Sequence, residues 1–449
     1  WARILAGKVD VVLGARSGLF APLPRLGLVI VDEEHDQSYK QNDGVRYHGR
    51  DLALVRAQMA DAIVVLGSAT PSLESWQNHL RGRFRMLTIT QRATRARLPA
   101  VEIVDLREEF KTQRGRPIFS RLLDAKMEYQ LDKGHQVMIL LNRRGYHSFL
   151  MCRKCGENVM CSQCEVSLTY HSDRTLKCHY CGETRQVPKV CPSCNSQAAM
   201  MQFFGEGTQQ VQELLEKRFP DFKVDRLDRD RLTQKDAHQQ ILADFEQNRT
   251  QILVGTQMIA KGHDFPNVTL VGIVNADIGL RVPDFRSAEL VFQLITQVAG
   301  RSGRGDNPGS VVIQTYMPEH YSITTAAQHN YEAFLEKEIR YREHLFYAPF
   351  AYMVGILITH KDHERANQAS FWMAAQYQHL SKKGGLVVLG PAKAPIGKIK
   401  NAWRYQIVLK SANRSALHRI ADAVVEEAVK QGRVPRQAII MDIDPYQFF

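Results

Sequence analysis

Leu28-Val29-Ile30-Val31-Asp32-Glu33-Glu34-His35 is an apolar run that stops abruptly in three carboxylates and an imidazole. Four consecutive branched aliphatic residues suit a strand buried on both faces, as in a parallel sheet. Open α/β sheets bind ligands at the carboxyl ends of their strands, so Asp32 and Glu33 are expected to project into a crevice. In phosphoryl transfer one such carboxylate holds Mg²⁺ and a second orients the attacking water. An acidic helix start following a buried strand would give the same letters, so the rest of the chain has to decide.

Downstream, a polar loop with scattered aromatics (Gln37 to His48) leads to a helix, Asp51 to Met59. A second apolar strand, Ala62 to Leu66, then runs into Gly67-Ser68-Ala69-Thr70. Strand, loop, helix, strand is a parallel-sheet pattern. Upstream, Trp1 to Gly7 reads as the tail of a helix and Val9 to Leu13 as a strand. The basic, proline-containing stretch Arg92 to Pro99 reads as a linker between lobes. Beyond it come a helix near Ser120 to Lys133, a strand Gln136 to Leu141, a strand near Val224 and a helix Gln234 to Gln247. Strands Ile252 to Val254 and Leu270 to Val274 and the helix Ser287 to Ala299 complete the second lobe. From about Pro318 a long amphipathic helix, strands near Val354, Leu386 and Tyr405, and two further helices suggest an α+β domain. The expected boundaries are 1–95 for part of a first lobe, 96–150 with 200–317 for a second, 151–199 for an insertion, and 318–449 for the last domain.

The chain has 449 residues, 44% hydrophobic and 24% charged, the composition of a globular protein of about three domains. No apolar segment is long enough to span a bilayer and no signal-like N-terminus is visible, so the expected location is cytoplasmic, with no membrane partner. A net charge of +12 favours a polyanionic partner.

All eight cysteines fall between Cys152 and Cys194, as four Cys-x-x-Cys pairs. Each pair can give two thiolates to a tetrahedral Zn²⁺, so eight close two structural sites. Only five residues separate Cys155 from Cys161, whereas thirteen separate Cys164 from Cys178. A nested arrangement is therefore expected: Cys161, Cys164, Cys178 and Cys181 on an inner zinc, Cys152, Cys155, Cys191 and Cys194 on an outer one. His171 and His179 could substitute as ligands, but eight thiolates already satisfy both metals, so they are expected to be solvated.

Two further motifs carry chemistry. Gly255-Thr256-Gln257-Met258-Ile259-Ala260-Lys261-Gly262-His263 follows a buried strand, where backbone can approach phosphates. In Gln297-Val298-Ala299-Gly300-Arg301-Ser302-Gly303-Arg304, Arg301 and Arg304 would share one helical face and could neutralise charge on a transferring phosphoryl group. Near the C-terminus, Lys398, Lys400 and Arg404 surround Trp403, pairing cations with an aromatic face.

The order Asp-Glu-x-His, Ser-Ala-Thr, linker, Thr-Gln-x-x-x-Lys-Gly, Gln-x-x-Gly-Arg-x-x-Arg resembles superfamily 2 helicases. Together with the eight cysteines, Leu141-Asn142-Arg143-Arg144-Gly145 and Pro283-Asp284-Phe285-Arg286-Ser287-Ala288-Glu289, it resembles the primosomal protein N′ family over essentially the whole chain. The resemblance implies an α/β fold with two RecA-like lobes, the first truncated, a zinc-binding insertion in the second and a C-terminal α+β domain. It implies a 3′ to 5′ DNA helicase, acting as a monomer with ATP, Mg²⁺ and two Zn²⁺, that restarts replication at stalled forks. Forked and single-stranded DNA, single-stranded DNA-binding protein and other primosome proteins would be its partners.

By position, Asp32 would hold Mg²⁺ and Glu33 polarise water, while His35 and Ser68 to Thr70 would couple nucleotide to DNA. Gln297, Gly300, Arg301 and Arg304 would face the nucleotide, with the two arginines as fingers. Arg16, Ser17, Asn142, Arg143, Thr256, Gln257 and Lys261 would face DNA, as would Tyr39, Tyr47, Lys398 and Arg404. Val45 and Leu290 stand where the family tends to have an aromatic residue and Arg. No Gly-x-x-x-x-Gly-Lys-Ser/Thr occurs, so the chain is expected to be a C-terminal fragment inactive as an ATPase alone. The rival expectation is a zinc-bearing nucleic-acid scaffold with a degenerate ATPase.

Overall fold

The computed structural model describes every residue except 90–97, 113–117, 142–149, 153, 163, 165, 172–174, 198–200, 204–207, 229–236, 260–264, 304–307, 382–384 and 447–449. The chain divides into two compact units, one of 1–87 with 342–449 and the other of 88–341.

In the first unit Leu28–Val31 pairs in parallel with Ile63–Leu66, Leu28 opposite Ile63. The helix Gly49–Met59 crosses between them and presents Ala53 and Ala57, one turn apart and buried, so that it lies close to the strands. Ser72 caps the next helix, Leu73–Leu80, by accepting from the Ser75 amide. Burial on both faces does not hold for these strands: Ile30 is 67% and Ile63 68% exposed. Successive strand residues face opposite sides, and only one side is packed. The expected strand at Val9 to Leu13 is also absent; Leu13 is 98% exposed and pairs with no strand.

The second unit is built on a six-stranded, all-parallel sheet. Its order is Val224–Leu227, Ile252–Gly255, Gln136–Leu141, Val268–Val274, Ser310–Thr315, Ala100–Asp105. Gln136–Leu141 and Val268–Val274 are buried at every position, as uninterrupted aliphatic runs in a two-sided sheet should be. Leu123, Met127 and Leu131 repeat every four residues along Arg121–Asp132 and join Val211 and Leu215 of Thr208–Arg218 in the core over the sheet. The long helix expected from Pro318 is two helices, Tyr321–Ala327 and Tyr331–His344, separated at His329, whose φ is 53°. Phe292 of Ser287–Ala299 stacks on Phe334 at 4.3 Å, which joins this helical segment to the second unit.

The C-terminal part of the first unit is a four-stranded antiparallel sheet in the order Leu386–Ile399, Ala402–Ser411, Tyr352–His360, Ile439–Ile443. Helices His363–Ser381 and Arg414–Lys430 supply Met373, Tyr377, Leu417 and Val424 to its core. No helix among the described residues is long and apolar enough to cross a membrane.

Candidate functional site

The strand Leu28–Val31 delivers the acidic motif into a tight turn. Glu33 takes a left-handed backbone (φ 46°) and its amide donates to Asp32 Oδ1 at 3.0 Å. The Gly67 amide donates to the Val31 carbonyl, and the Gly67 carbonyl accepts from the Glu34 amide. The two strand ends are thereby tied together, with a Cβ-sized space at Gly67 lying 3.5 Å from Asp32 Oδ1. His35 is buried; its Nδ1 lies 2.7 Å from Ser68 Oγ and 3.6 Å from Glu33 Oε2. Ser68 Oγ also accepts from the Thr70 amide. Asp32, Glu33, His35 and Ser68 to Thr70 are thus brought into one place, with an imidazole bridging the acidic turn to the Ser-Ala-Thr segment.

Glu34, which the sequence reading passed over, is 1% exposed. It accepts from Arg50 Nη1 at 3.0 Å, the Ser72 amide at 2.6 Å, Ser72 Oγ at 3.1 Å and Ser75 Oγ at 2.9 Å. A buried carboxylate with four donors, one of them a guanidinium, is a structural anchor. No local signal marked it, because its cation partner Arg50 lies 16 residues along the chain on another element.

The loop after the motif turns inward. Tyr39 donates its hydroxyl to the Asp32 carbonyl at 2.6 Å, and burial followed by the neighbouring Asp32 raises its pKa. Tyr47 meets Phe20 edge-on at 5.4 Å. Arg16 Nη1 donates to the Ser38 and Lys40 carbonyls. Three side chains expected at DNA therefore make contacts that shape the loop, and Ser17 lies in the adjoining turn Arg16–Phe20.

In the insertion, the thiols of Cys152, Cys155, Cys191 and Cys194 form one group and those of Cys161, Cys164, Cys178 and Cys181 another, each within 4.8 Å. These are the outer and inner sets of the nested scheme. Cys152 to Cys194 measures 3.7 Å, Cys155 to Cys191 3.6 Å and Cys161 to Cys181 3.6 Å. Zinc–sulfur bonds of about 2.3 Å give a tetrahedron with edges of about 3.8 Å, so the donor sets fit Zn²⁺. Hydrogen bonding with Cys161 and Cys178, then burial, raises the Cys164 pKa, and burial foremost raises that of Cys155. A central divalent cation opposes this by favouring thiolates. His171 Nε2 lies 3.1 Å from His179 Nε2, so the two imidazoles face each other outside both cysteine groups.

The insertion is seated on the sheet's carboxyl end. Arg281, itself buried, donates to the Gly156 carbonyl at 2.6 Å. Gly156 has φ 79°, and a Cβ there would lie 2.2 Å from the Tyr316 carbonyl oxygen.

Helix Ser287–Ala299 ends before Arg301, so this arginine lies in a turn, with its amide donating to the Val298 carbonyl. The helical face expected for Arg301 does not apply to it, since the helix has ended; Gly303, at φ 71°, follows in the same turn, and Arg304 lies outside the described residues. Buried Ser302 Oγ donates to the Thr269 carbonyl, pinning this turn to the sheet, a role the sequence reading did not assign. Gln297 and Gly300 are half-buried at the helix end, and Thr256 and Gln257 at the carboxyl end of Ile252–Gly255.

In the C-terminal hairpin, Lys398 Nζ lies 5.0 Å and Lys393 Nζ 5.7 Å from the Trp403 ring centre, with His363 at 4.5 Å ring to ring. Arg404 does not join them. It is next to Trp403 on a strand, so it faces the other way, donating to the Ile396 carbonyl at 2.9 Å.

Three families match this sequence: the primosomal protein N C-terminal domain over residues 343–446, the helicase conserved C-terminal domain over 183–306, and the PriA DNA helicase Cys-rich region over 161–186. The replication restart protein PriA of Bacillus subtilis is 42% identical over 99% of this chain and 55% of its own length. That of Synechocystis is 42% identical over 91% of this chain and 50% of its own, and that of Haemophilus influenzae 39% over 99% and 60%. The chain belongs to the PriA family. It spans about half the length of the PriA relatives it matches. Of the residues that the PriA resemblance marks, Asn142, Arg143, Lys261 and Arg304 lie outside the described residues.

Proposed function

We propose that the full-length protein is an ATP-dependent DNA helicase, moving 3′ to 5′, that recognises stalled or branched forks and restarts replication by promoting primosome assembly. One observation carries the reading. Asp32 and Glu33 stand at the carboxyl end of a parallel strand, and His35 reaches from them to Ser68 on the neighbouring strand's exit. In this reading Asp32 would hold Mg²⁺, which would supply charge neutralisation to the phosphates, and Glu33, 43% exposed beside it, would orient the attacking water. Arg301 and Arg304 supply positive charge to the transferring phosphoryl group. His35 and Ser68 carry the state of that site to the Ser-Ala-Thr turn.

The two tetracysteine groups hold Zn²⁺ and stiffen the insertion. Closed four-thiolate sites leave no open coordination position, so their contribution is to shape. DNA contacts are assigned to Lys398 with Lys393 around Trp403, and to Thr256, Gln257 and Lys261. The Lys398 surface also suits an acidic tail such as that of single-stranded DNA-binding protein.

The test is forked-DNA-stimulated ATP hydrolysis and unwinding by the full-length protein, compared with Ser68→Ala. Hydrolysis without unwinding in the variant supports the coupling role. Normal unwinding by Ser68→Ala, with the wild type active, refutes it.

A further inference from the structure

The two tetracysteine groups are alike in backbone and differ in what surrounds the sulfurs. In each knuckle the amide of the first cysteine donates to the carbonyl five residues on: Cys152 to Glu157, Cys161 to Val166, Cys178 to Glu183 and Cys191 to Ser196. That fifth residue is folded back over the knuckle, so its side chain can decide what the sulfurs meet. In the outer group it brings a hydroxyl: Ser196 Oγ lies 3.1 Å from Cys152 Sγ and 3.2 Å from Cys194 Sγ. In the inner group it brings a carboxylate, with Glu183 Oε2 2.9 Å from Cys161 Sγ. Glu157, at the same place in the first outer knuckle, is exposed.

This difference bears on how firmly each group holds a cation. A hydroxyl can turn its hydrogen to either sulfur and spread the negative charge that four thiolates bring to one site. The outer group has a second aid in the buried Arg281 guanidinium on the Gly156 carbonyl, one residue from Cys155. A carboxylate acts in the opposite sense. Cys161 is 2% exposed, so little water lies between its sulfur and Glu183, and a thiolate there stands against a like charge. Glu183 is held in that position: the Ser162 amide and hydroxyl donate to the same oxygen at 3.1 and 3.2 Å, and Arg185 Nε donates to the other. Arg185 is 42% exposed, so water screens its charge more than that of the carboxylate at the sulfur. His179, between Cys178 and Cys181, is buried rather than solvated as expected, and it lies against His171.

Position in the insertion gives the inequality a consequence. The outer group sits at the base, where Leu150–Cys152 pairs with Met201–Phe203 and Gly156 packs on Tyr316. The inner group ties together the part from Cys161 to Cys181. We propose that the two metal sites are unequal: Ser196 and Arg281 make the outer one a lasting fastening, and Glu183 makes the inner one labile, so that the far part of the insertion loosens on loss of metal while its base stays seated. The inference rests on the zinc assignment above.

The experiment loads the 449-residue chain with zinc and follows release to a chromogenic chelator, for wild type, Glu183→Gln, Ser196→Ala and Glu157→Gln. Thiols freed at each stage are alkylated and located by mass spectrometry. Wild type should release one zinc fast and one slowly, with Cys161, Cys164, Cys178 and Cys181 alkylated first. Glu183→Gln should slow the fast phase by about tenfold, and Ser196→Ala should speed the slow phase by about as much, the scale of groups that contact metal ligands. The sign separates charge from mere support, because replacing a residue that only props up the site would loosen it and speed release. Faster or unchanged release from Glu183→Gln therefore overturns the proposal. So does a single phase for both zinc ions, alkylation of the outer cysteines first, or an equal slowing by Glu157→Gln. If Ser196→Ala does not fold, the Glu183→Gln arm decides alone. A wild-type chain that binds no zinc would instead refute the zinc assignment itself.

Discussion

Glu34→Ala is the substitution for which the structure gives the sharpest stability prediction. The carboxylate lies at 1% exposure with Arg50 Nη1 at 3.0 Å and three donors from Ser72 and Ser75. Removing it leaves a guanidinium at 6% side-chain exposure facing an apolar methyl group. Breaking a buried ion pair from one side costs about 3–5 kcal/mol. Arg50 keeps Asp51 at 2.9 Å, and Ser72 still caps its helix, so the lower end applies, about 3 kcal/mol. For a unit of roughly two hundred residues, 1 kcal/mol shifts Tm by about 2–4 °C, so the expected loss is about 6–12 °C. Glu34→Gln should lose nearly as much, because its amide presents a donor to Arg50. Replacing Glu34 and Arg50 together by Met should recover most of the loss, since no lone charge remains. The neighbouring Glu33→Ala, at an exposed position, should stay within about 0.5 kcal/mol. Thermal unfolding of the 449-residue chain followed by circular dichroism provides the measurement. A Glu34→Ala protein melting within 2 °C of wild type would refute the assignment of Glu34 and Arg50 as an internal anchor.

Elemental analysis should find about two zinc ions per chain, with Cys161→Ser losing one and Cys152→Ser the other; loss of both from either variant would refute independent sites. Gly156→Ala should destabilise the seat of the insertion by about 2 kcal/mol or more, through left-handed strain and collision with the Tyr316 carbonyl; hydrogen exchange around Met151 and Tyr316 reports it, and unchanged protection counts against the seat. Burial, and then Arg50, lowers the His48 pKa to about 3. The unfolded chain titrates near 6.5, so stability is intact above that pH and falls by about 1.4 kcal/mol per unit as pH drops towards 3. His48→Phe should flatten the stability difference between pH 7 and pH 5 by about 2 kcal/mol in urea unfolding; an identical slope in both proteins would contradict the buried neutral imidazole. Lys398→Ala should weaken DNA binding at low salt and reduce the salt dependence by about one counterion; an unaltered slope would remove Lys398 from the interface.

Much of the parallel sheet was legible because its strands are uninterrupted aliphatic runs. Gln136–Leu141 and the helix Ser287–Ala299 have the limits expected from the pattern. The strands Ala100–Asp105 and Ser310–Thr315 went unread, the first hidden behind a proline-containing linker and the second a short run after a glycine-rich turn. Ile439–Ile443 was also missed, because five residues ending in Asp-Ile give little periodicity and their pairing with Tyr352–His360 is remote in sequence. Cysteine spacing was a stronger guide, since Cys-x-x-Cys is itself a local geometry. Invisible in the sequence were the partners of isolated charges: Arg50 for Glu34, and Asp442 for Lys40 and Arg46. Long-range pairing of that kind is set by tertiary structure, and a lysine in a polar loop looks the same whether solvated or buried.

The account turns on whether Asp32 and Glu33 form the hydrolytic end of an ATP site. The most direct measurement is the steady-state ATPase of the full-length protein with forked DNA, wild type against Glu33→Gln, alongside DNA binding of both. Loss of a group that positions and polarises the attacking water should lower DNA-stimulated turnover about 10²-fold or more while DNA affinity is retained. Glu33→Gln turnover within a few-fold of wild type would contradict it.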